Sequence, residues 1–133
     1  MIVVDASVLV NALGDGSAAG EAARAALFGE GLAAPDLVDL ETMSVMRKHW
    51  LGNELTDEEF ADGVDALWQL EMARYPALPL LPRAFELRHA MTPYDAAYVA
   101  LAELLECPLV TAAGRLANAP GPQCEFRLVT SAG

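Results

Sequence analysis

Short apolar runs along the chain alternate with longer segments in which apolar residues recur at helical spacing. The first run, Ile2-Val3-Val4, contains no polar position, which is typical of a strand buried on both faces of a parallel sheet. Further strands are predicted over residues 32–34, 71–75, 109–111 and 126–129.

The segments between these strands predict helices, and two of them carry recognisable start signals. Helices are predicted after Asp5 and over residues 18–28, 37–51, 57–70, 81–91 and 93–106. Thr56 followed by Glu59 is a capping-box pattern, and Thr92 before Pro93 is a second helix start. Strands that alternate with helices predict an α/β sandwich around a mainly parallel sheet.

Length and composition suit one domain over residues 1–133, with 54% apolar and 20% charged residues. No apolar run approaches the ~18 residues that a membrane span needs, and residues 1–4 enter a strand without a basic leader. Cys107 and Cys124 form no CxxC pattern, so we expect a reduced, cytoplasmic protein.

The net charge of −11, from 19 acidic and 8 basic residues, argues against a broad basic groove that grips nucleic acid by neutralising phosphates. Chemistry on RNA would then need metal ions or a few arginines, and a basic protein partner would suit this chain. Trp50 and Trp68 are interpreted as packing between two helices rather than as a platform for stacked bases.

Three acidic residues stand out by their position in the predicted elements. Asp5 directly follows the first buried strand, where it either caps the next helix or belongs to a site at the carboxyl end of the sheet. Glu41 interrupts an apolar arc of its helix, or lies at the exposed edge of that arc. Asp95 is the third residue of a largely apolar helix, where reciprocal capping with Thr92 is a strong structural explanation that does not exclude a role as a ligand.

Taken together, Asp5, Glu41 and Asp95 suggest three carboxylates from distant segments that meet at one edge of the sheet. Two carboxylates ~4 Å apart repel each other by about 4 kcal/mol at an effective dielectric near 20, so a cation or a shared proton would be needed. Hard oxygen ligands suit Mg²⁺ or Mn²⁺, which polarise a phosphodiester and activate water.

Four segments of the chain carry a family resemblance, and they read IVVDASVLV, APDLVDLETMSVMRK, TPYDAAYVALAE and LVTAAGRLANAP. In this order, over nearly the whole chain, they resemble the motifs of VapC-type PIN-domain toxins, the ribonuclease half of VapBC toxin–antitoxin pairs. The resemblance implies a three-layer α/β/α sandwich and metal-dependent RNA cleavage, with Asp5, Glu41 and Asp95 as the metal-site residues.

One position departs from the family pattern. The family usually has Asp where this chain has Ala113, so the resemblance implies a site that is either attenuated or inactive. Four polar residues are candidates for supporting roles, each with an ordinary structural explanation beside it. They are Ser7 and Thr111 as hydrogen-bond partners of the carboxylates or of a metal-bound water, Asn11 on the Ser7 face, and Arg115 as a phosphate ligand.

The resemblance also implies partners: an RNA substrate, with tRNA the family's common target, a VapB-type antitoxin, a homodimer and toxin–antitoxin hetero-oligomers. A catalytically inactive PIN domain that acts by binding its antitoxin or RNA is the main alternative. A phosphoryl-transfer domain is disfavoured, because Ser7 stands where a dehalogenase-type enzyme needs a second Asp. A receiver domain is also disfavoured, because the only lysine is Lys48.

Overall fold

A computed structural model describes residues 1–14 and 16–130 of the chain. The described strands form one five-stranded sheet in the order β3-β2-β1-β4-β5, and every neighbouring pair is parallel. The strands are β1 (Ile2–Val4), β2 (Leu32–Pro35), β3 (Ala73–Tyr75), β4 (Leu109–Thr111) and β5 (Phe126–Leu128). The prediction of a mainly parallel sheet is therefore confirmed.

Seven helices connect these strands in the described part of the chain. They are α1 (Ala6–Gly14), α2 (Ala18–Leu27), α3 (Val38–Leu51), α4 (Asp57–Gln69), α5 (Leu81–Glu86), α6 (Pro93–Leu105) and α7 (Gly114–Ala117). Strand crossovers are almost always right-handed, so α1 to α4 lie on one face of the sheet and α5 to α7 on the other. The strand order reverses between β1 and β4, which is where α/β folds place their ligand sites.

The core confirms that the short apolar runs are buried on both faces. The three residues of β1 and the first two of β4 are at most 1% exposed. Helix α6 packs on this sheet with an unbroken buried stretch from Ala96 to Ala102. On the opposite face, Gly63 of α4 lies so close to Met46 of α3 that a Cβ there would come 3.2 Å from the Met46 methyl carbon.

Several helix boundaries follow the local signals in the sequence. Thr56 and Glu59 form the complete capping box at the start of α4, with hydrogen bonds of 2.9 and 3.0 Å. Thr92 caps α6, and Asn53 and Glu106, at the ends of α3 and α6, take the left-handed conformation. Ser17 is the N-cap residue of α2, but its side chain makes no capping hydrogen bond there.

Two expectations about apolar segments are wrong. The helix predicted over residues 81–91 ends at Glu86, and a 3₁₀ turn, Leu78–Leu80, precedes it. Trp68 does not pack between helices, since it is 88% exposed, whereas Trp50 contacts Phe60 and donates a hydrogen bond of 2.7 Å to Asp57. Among the described residues, no helix is both long and apolar enough to cross a membrane.

The capping box makes a direct prediction about stability. Thr56→Ala removes the side-chain acceptor for the Glu59 N–H and should lower the free energy of unfolding by about 1 kcal/mol. Thr56→Ser keeps the hydroxyl and serves as the matched control, which should remain within ~0.5 kcal/mol of the unchanged chain. Urea denaturation of the three proteins tests this, and equal loss in both variants would contradict the capping role.

Candidate active site at the carboxyl edge of the sheet

Asp5 is a buried carboxylate, 5% exposed, at the point where β1 ends and α1 begins. One carboxylate oxygen accepts hydrogen bonds from the Ser7 hydroxyl and, at 3.0 Å, from the Ser7 N–H. The other accepts from the Thr111 hydroxyl at the end of β4. Asp5 therefore caps α1, as its simplest structural interpretation required, and also links the two strands at the reversal point.

These hydrogen bonds do not fully offset the cost of burying the charge. Burial raises the pKa of Asp5 above its ordinary value, although the bonds from Ser7, Thr111 and the Val8 N–H oppose the shift. The folded chain thus holds this proton more tightly than the unfolded chain. Stability is consequently lost as the pH rises through the interval between the two pKa values and Asp5 ionises.

Glu41 approaches the site from the first turn of α3. Its carboxylate accepts a hydrogen bond of 2.9 Å from the hydroxyl of Tyr98, which is fully buried in α6. Burial raises the pKa of Glu41, the Tyr98 hydrogen bond opposes this rise, and the charges of Asp95 and Asp5 add to it. Burial, with the charge of Glu41, in turn raises the pKa of Tyr98, so this phenol stays a hydrogen-bond donor.

Asp95 completes the group from the start of α6. Its backbone N–H donates to the Thr92 hydroxyl at 3.2 Å, which confirms that Thr92 is the cap. Its carboxylate lies 3.9 Å from the guanidinium of Arg115 in α7, a side chain that is 87% exposed. Asp95 therefore lies in the first turn of α6 and also contributes a carboxylate to the edge of the candidate site.

Glu41 is the residue that relates the three carboxylates to one another. It lies near enough to Asp5 and Asp95 for the charges of both to raise its pKa. Within the described residues, however, no three His, Cys, Asp or Glu side chains form a ready-made metal-binding cluster. Asp5 and Glu41, whose pKa values are raised by burial and, for Glu41, by neighbouring negative charges, still fit a hard divalent cation, because such a cation offsets both the burial and the repulsion.

Ala113 belongs to the same site through its backbone. The Ala112 N–H donates to the Ser7 hydroxyl at 3.1 Å, and the Ala113 N–H donates to the Thr111 hydroxyl at 3.0 Å. Both hydroxyls in turn donate to Asp5, so they join the segment after β4 to this carboxylate. A side chain at position 113 therefore projects from a backbone held against the site.

Asn11 and Tyr98 add to the sequence-based picture of the site. Asn11 lines a cavity of about 230 Å³ between α1, α3 and α4, together with His49 and Glu54, and its supporting role at the carboxylates stays a prediction. Tyr98 was not singled out in the sequence, although it lies three residues after Asp95 on the same side of α6. A tyrosine inside an otherwise apolar, buried helix needs a partner for its hydroxyl, and that requirement was the available signal.

Comparison with known proteins decides the family. The family model for the PIN domain matches residues 2–122. The chain belongs to the PIN-domain family. Ribonuclease VapC1 of Mycobacterium tuberculosis is 42% identical over 128 residues, which cover 96% of each chain. Ribonuclease VapC9 of the same organism is 43% identical and covers 97% of this chain and 98% of its own.

A solved structure shares the fold of this PIN domain. The crystal structure of Mycobacterium tuberculosis VapC20, described as a toxin that cleaves the sarcin–ricin loop, superposes with a TM-score of 0.62. The superposed region covers 82% of this chain and 87% of the VapC20 chain. At 16% sequence identity, this likeness shows a shared fold and nothing more. The expected three-layer PIN architecture and the VapC-type membership are thereby confirmed.

The hydroxyls around Asp5 generate a prediction for this PIN domain. Thr111→Val removes a donor to Asp5 and an acceptor for the Ala113 N–H, so unfolding free energy should fall by about 1–3 kcal/mol near neutral pH. The loss of unfolding free energy in Thr111→Val should be smaller at acid pH, because a protonated, uncharged Asp5 depends less on the hydrogen bond from Thr111. The equally buried Thr42 hydroxyl has no partner among the described residues.

Thr42→Val is the matched control for that experiment. It replaces the same side chain by the same isostere, but it removes an unpaired polar atom, so stability should stay equal or rise by about 1 kcal/mol. Urea denaturation at two pH values measures both variants. Equal losses in Thr111→Val and Thr42→Val would contradict a specific role of Thr111 at Asp5.

Proposed function

We propose that this chain is a divalent-metal-dependent endoribonuclease toxin of the VapC type, built as a single domain. The observation that supports the proposal is that Glu41 lies near enough to Asp5 and Asp95 for their charges to raise its pKa, while Asp5 ends β1 next to the reversal point of the sheet. The relatives named ribonucleases, at 42 and 43% identity over nearly full length, support the same activity.

In this proposal, the side chains have separate tasks. Asp5, Glu41 and Asp95 would hold Mg²⁺ or Mn²⁺, and a cation bound there would supply polarisation of a phosphodiester and a lowered pKa of an attacking water. Ser7 and Thr111 orient Asp5, and Tyr98 orients Glu41 through its hydroxyl. Arg115, exposed next to Asp95, is placed to contact a phosphate of the RNA.

Ala113 sets the expected level of this activity. Without a carboxylate at position 113, the negative charge at the site is lower than the family pattern provides, so cation affinity and turnover should be reduced. The alternative is that the chain has lost cleavage and acts only by binding its antitoxin or RNA. Both possibilities keep the same fold and the same three carboxylates.

The net negative charge of the chain limits how it can recognise RNA. A chain with a net charge of −11 gains little from long-range attraction to phosphates, so the substrate should be a folded RNA recognised by shape. We propose tRNA as the first substrate class to test. A sarcin–ricin loop RNA, the target named for VapC20, is the second.

The central test compares the unchanged chain, Ala113→Asp and Asp5→Asn, each free of antitoxin, on both RNAs with Mn²⁺, Mg²⁺ or excess chelator. Ala113→Asp should cleave faster than the unchanged chain. Asp5→Asn should lose more than about 100-fold, since even residues that only orient a metal ligand contribute about 10–100-fold. Failure of every variant on every RNA would overturn the nuclease proposal.

Metal binding is measured independently of cleavage by thermal unfolding. Mn²⁺ should raise the melting temperature of the unchanged chain, because a ligand that binds only the folded state stabilises it. Asp5→Asn should show no such rise, whereas Lys48→Ala, a change on the exposed end of α3, should respond like the unchanged chain. A rise without cleavage would favour the inactive alternative.

We also propose where the antitoxin binds. Helices α3 and α4 enclose an apolar groove of about 600 Å³, whose aromatic lining includes Trp50, Phe60 and the exposed Trp68. Helix α4 carries five acidic residues and no basic one. This combination favours an amphipathic antitoxin segment with an apolar stripe and basic flanks. The homodimer implied by the family resemblance stays a separate prediction.

Trp68→Ala tests this surface. With the co-expressed cognate antitoxin, affinity should fall by at least about 30-fold, because a central exposed tryptophan is worth roughly 2 kcal/mol or more at an interface. Phe28→Ala is the control, since Phe28 is 89% exposed but outside the groove. If Trp68→Ala instead changes only the molar mass of the antitoxin-free protein in light scattering, a second copy occupies the groove.

A further inference from the structure

Two cysteines precede neighbouring strands at the same register. Leu109 of β4 pairs with Phe126 of β5, and Cys107 and Cys124 each lie two residues before one member of that pair. Residues two apart in a strand point to the same face, and neighbouring strands lie ~4.8 Å apart. That spacing lies within the ~4.4–6.8 Å between Cα atoms that a disulfide requires.

Both thiols face one shallow cavity of about 350 Å³ at the amino-terminal edge of the sheet, opposite the carboxylate site. Each is free and partly buried, and each packs against the core. The charge of Cys107 also contributes to raising the pKa of Cys124, in keeping with their shared cavity. Neither cysteine has a part in the proposed nuclease site.

The backbone on both sides of the pair is fixed. The Cys107 N–H donates to the Ala102 carbonyl at 3.1 Å, after Glu106 turns the chain in the left-handed conformation. On the other side, the Gln123 N–H donates to the Glu103 carboxylate at 2.7 Å. Glu103 is itself held by a two-bond pairing with the guanidinium of Arg83. The backbone next to each cysteine is therefore held in place, and the register of β4 and β5 sets how the two residues face each other.

We propose that Cys107 and Cys124 form an intramolecular disulfide when the protein meets a peroxide. One thiolate attacks a peroxide oxygen and becomes a sulfenic acid, and the O–O bond breaks to release water. The second thiol then attacks this sulfur, the S–S bond forms, and the sulfenic oxygen leaves as a second water. In total, two thiols and one hydrogen peroxide give one disulfide and two waters.

The surroundings favour a disulfide over a bound metal. No third His, Cys, Asp or Glu in the described residues completes a metal-binding cluster with the two thiols. Burial raises the pKa of Cys107, and burial with the charge of Glu103 raises the pKa of Cys124 to about 11. The thiols are thus protonated near neutral pH and react slowly, so sustained exposure to peroxide is required.

The crosslink would close the segment between β4 and β5. This segment carries Ala113, α7 and Arg115, and it links the edge strand β5 to its neighbour. A disulfide stabilises mainly by restricting the unfolded chain, and a loop of this length predicts a rise in melting temperature of roughly 10 °C. The oxidised protein should also hold the segment after β4 in place while the chain is partly unfolded.

The test treats the purified full chain with hydrogen peroxide and then alkylates the remaining thiols under denaturing conditions. The expected result is an intact mass lower by two hydrogens, no alkylation, a crosslinked peptide containing Cys107 and Cys124, and the higher melting temperature. Dithiothreitol should reverse all four. Thiols that stay open to alkylation, or that overoxidise separately to sulfinic acids, would overturn the proposal.

Cys107→Ser and Cys124→Ser are the controls. Each should lose the mass change and the gain in melting temperature, while circular dichroism of the untreated variants shows that they fold. A covalent dimer of the unchanged chain on a non-reducing gel, without the internal crosslink, would also overturn the proposal. None of these measurements requires RNA cleavage, so their outcome does not depend on the nuclease proposal.

Discussion

The buried carboxylate of Asp5 is the constraint on which the candidate site depends. An anion that is 5% exposed at the end of a fully apolar strand is costly unless donors surround it, and the fold supplies them from both sides. Ser7 belongs to the helix that follows β1, and Thr111 ends the neighbouring strand β4. Asp5 thereby fixes the relation of β1, α1 and β4 at the point where the strand order reverses.

The same hydroxyls position the rest of the site. Each donates its proton to Asp5 and accepts a backbone N–H from the segment after β4. Glu41 receives its donor from Tyr98, on the helix that Asp95 begins, so α3 and α6 meet at this edge. Burial raises the pKa of both Asp5 and Glu41, and the negative charges of Asp95 and Asp5 raise that of Glu41 further, so burial and repulsion both oppose this convergence. An arrangement that keeps such repulsion within a folded core is characteristic of functional sites.

Much of the fold could be predicted because local signals and burial agree. The apolar run of β1 and the capping box of α4 are read directly from neighbouring residues, and both are present. The helix predicted over residues 81–91 is shorter because the chain tightens into turns after Glu86, where the N–H groups of Arg88 and Ala90 donate to carbonyls three residues back. The prediction that Trp68 packs between two helices was wrong because a tryptophan at helical spacing gives the same sequence pattern whether it packs within its own chain or is exposed to another one.

The candidate site was only partly visible for a similar reason. Asp5 and Asp95 follow from their positions at a strand end and a helix start, but the bond from Tyr98 to Glu41 joins residues 57 positions apart. No local pattern specifies such a contact; only the packing of α6 against α3 does. The sequence indicated which residues carry charge, whereas the tertiary structure determines which hydrogen bonds hold them.

At position 113, the backbone hydrogen bond that holds the loop does not depend on the charge of the side chain. The Ala113 backbone N–H is held by Thr111, a contact that does not involve its side chain. Replacing a carboxylate by a methyl group there changes the electrostatic field without removing any bond that shapes the loop. The apolar groove of α3 and α4, lined by Trp68, lies on other elements and does not depend on that field. The attenuated catalysis and the antitoxin binding proposed for this chain are therefore compatible in one fold, because the residues proposed for each are different.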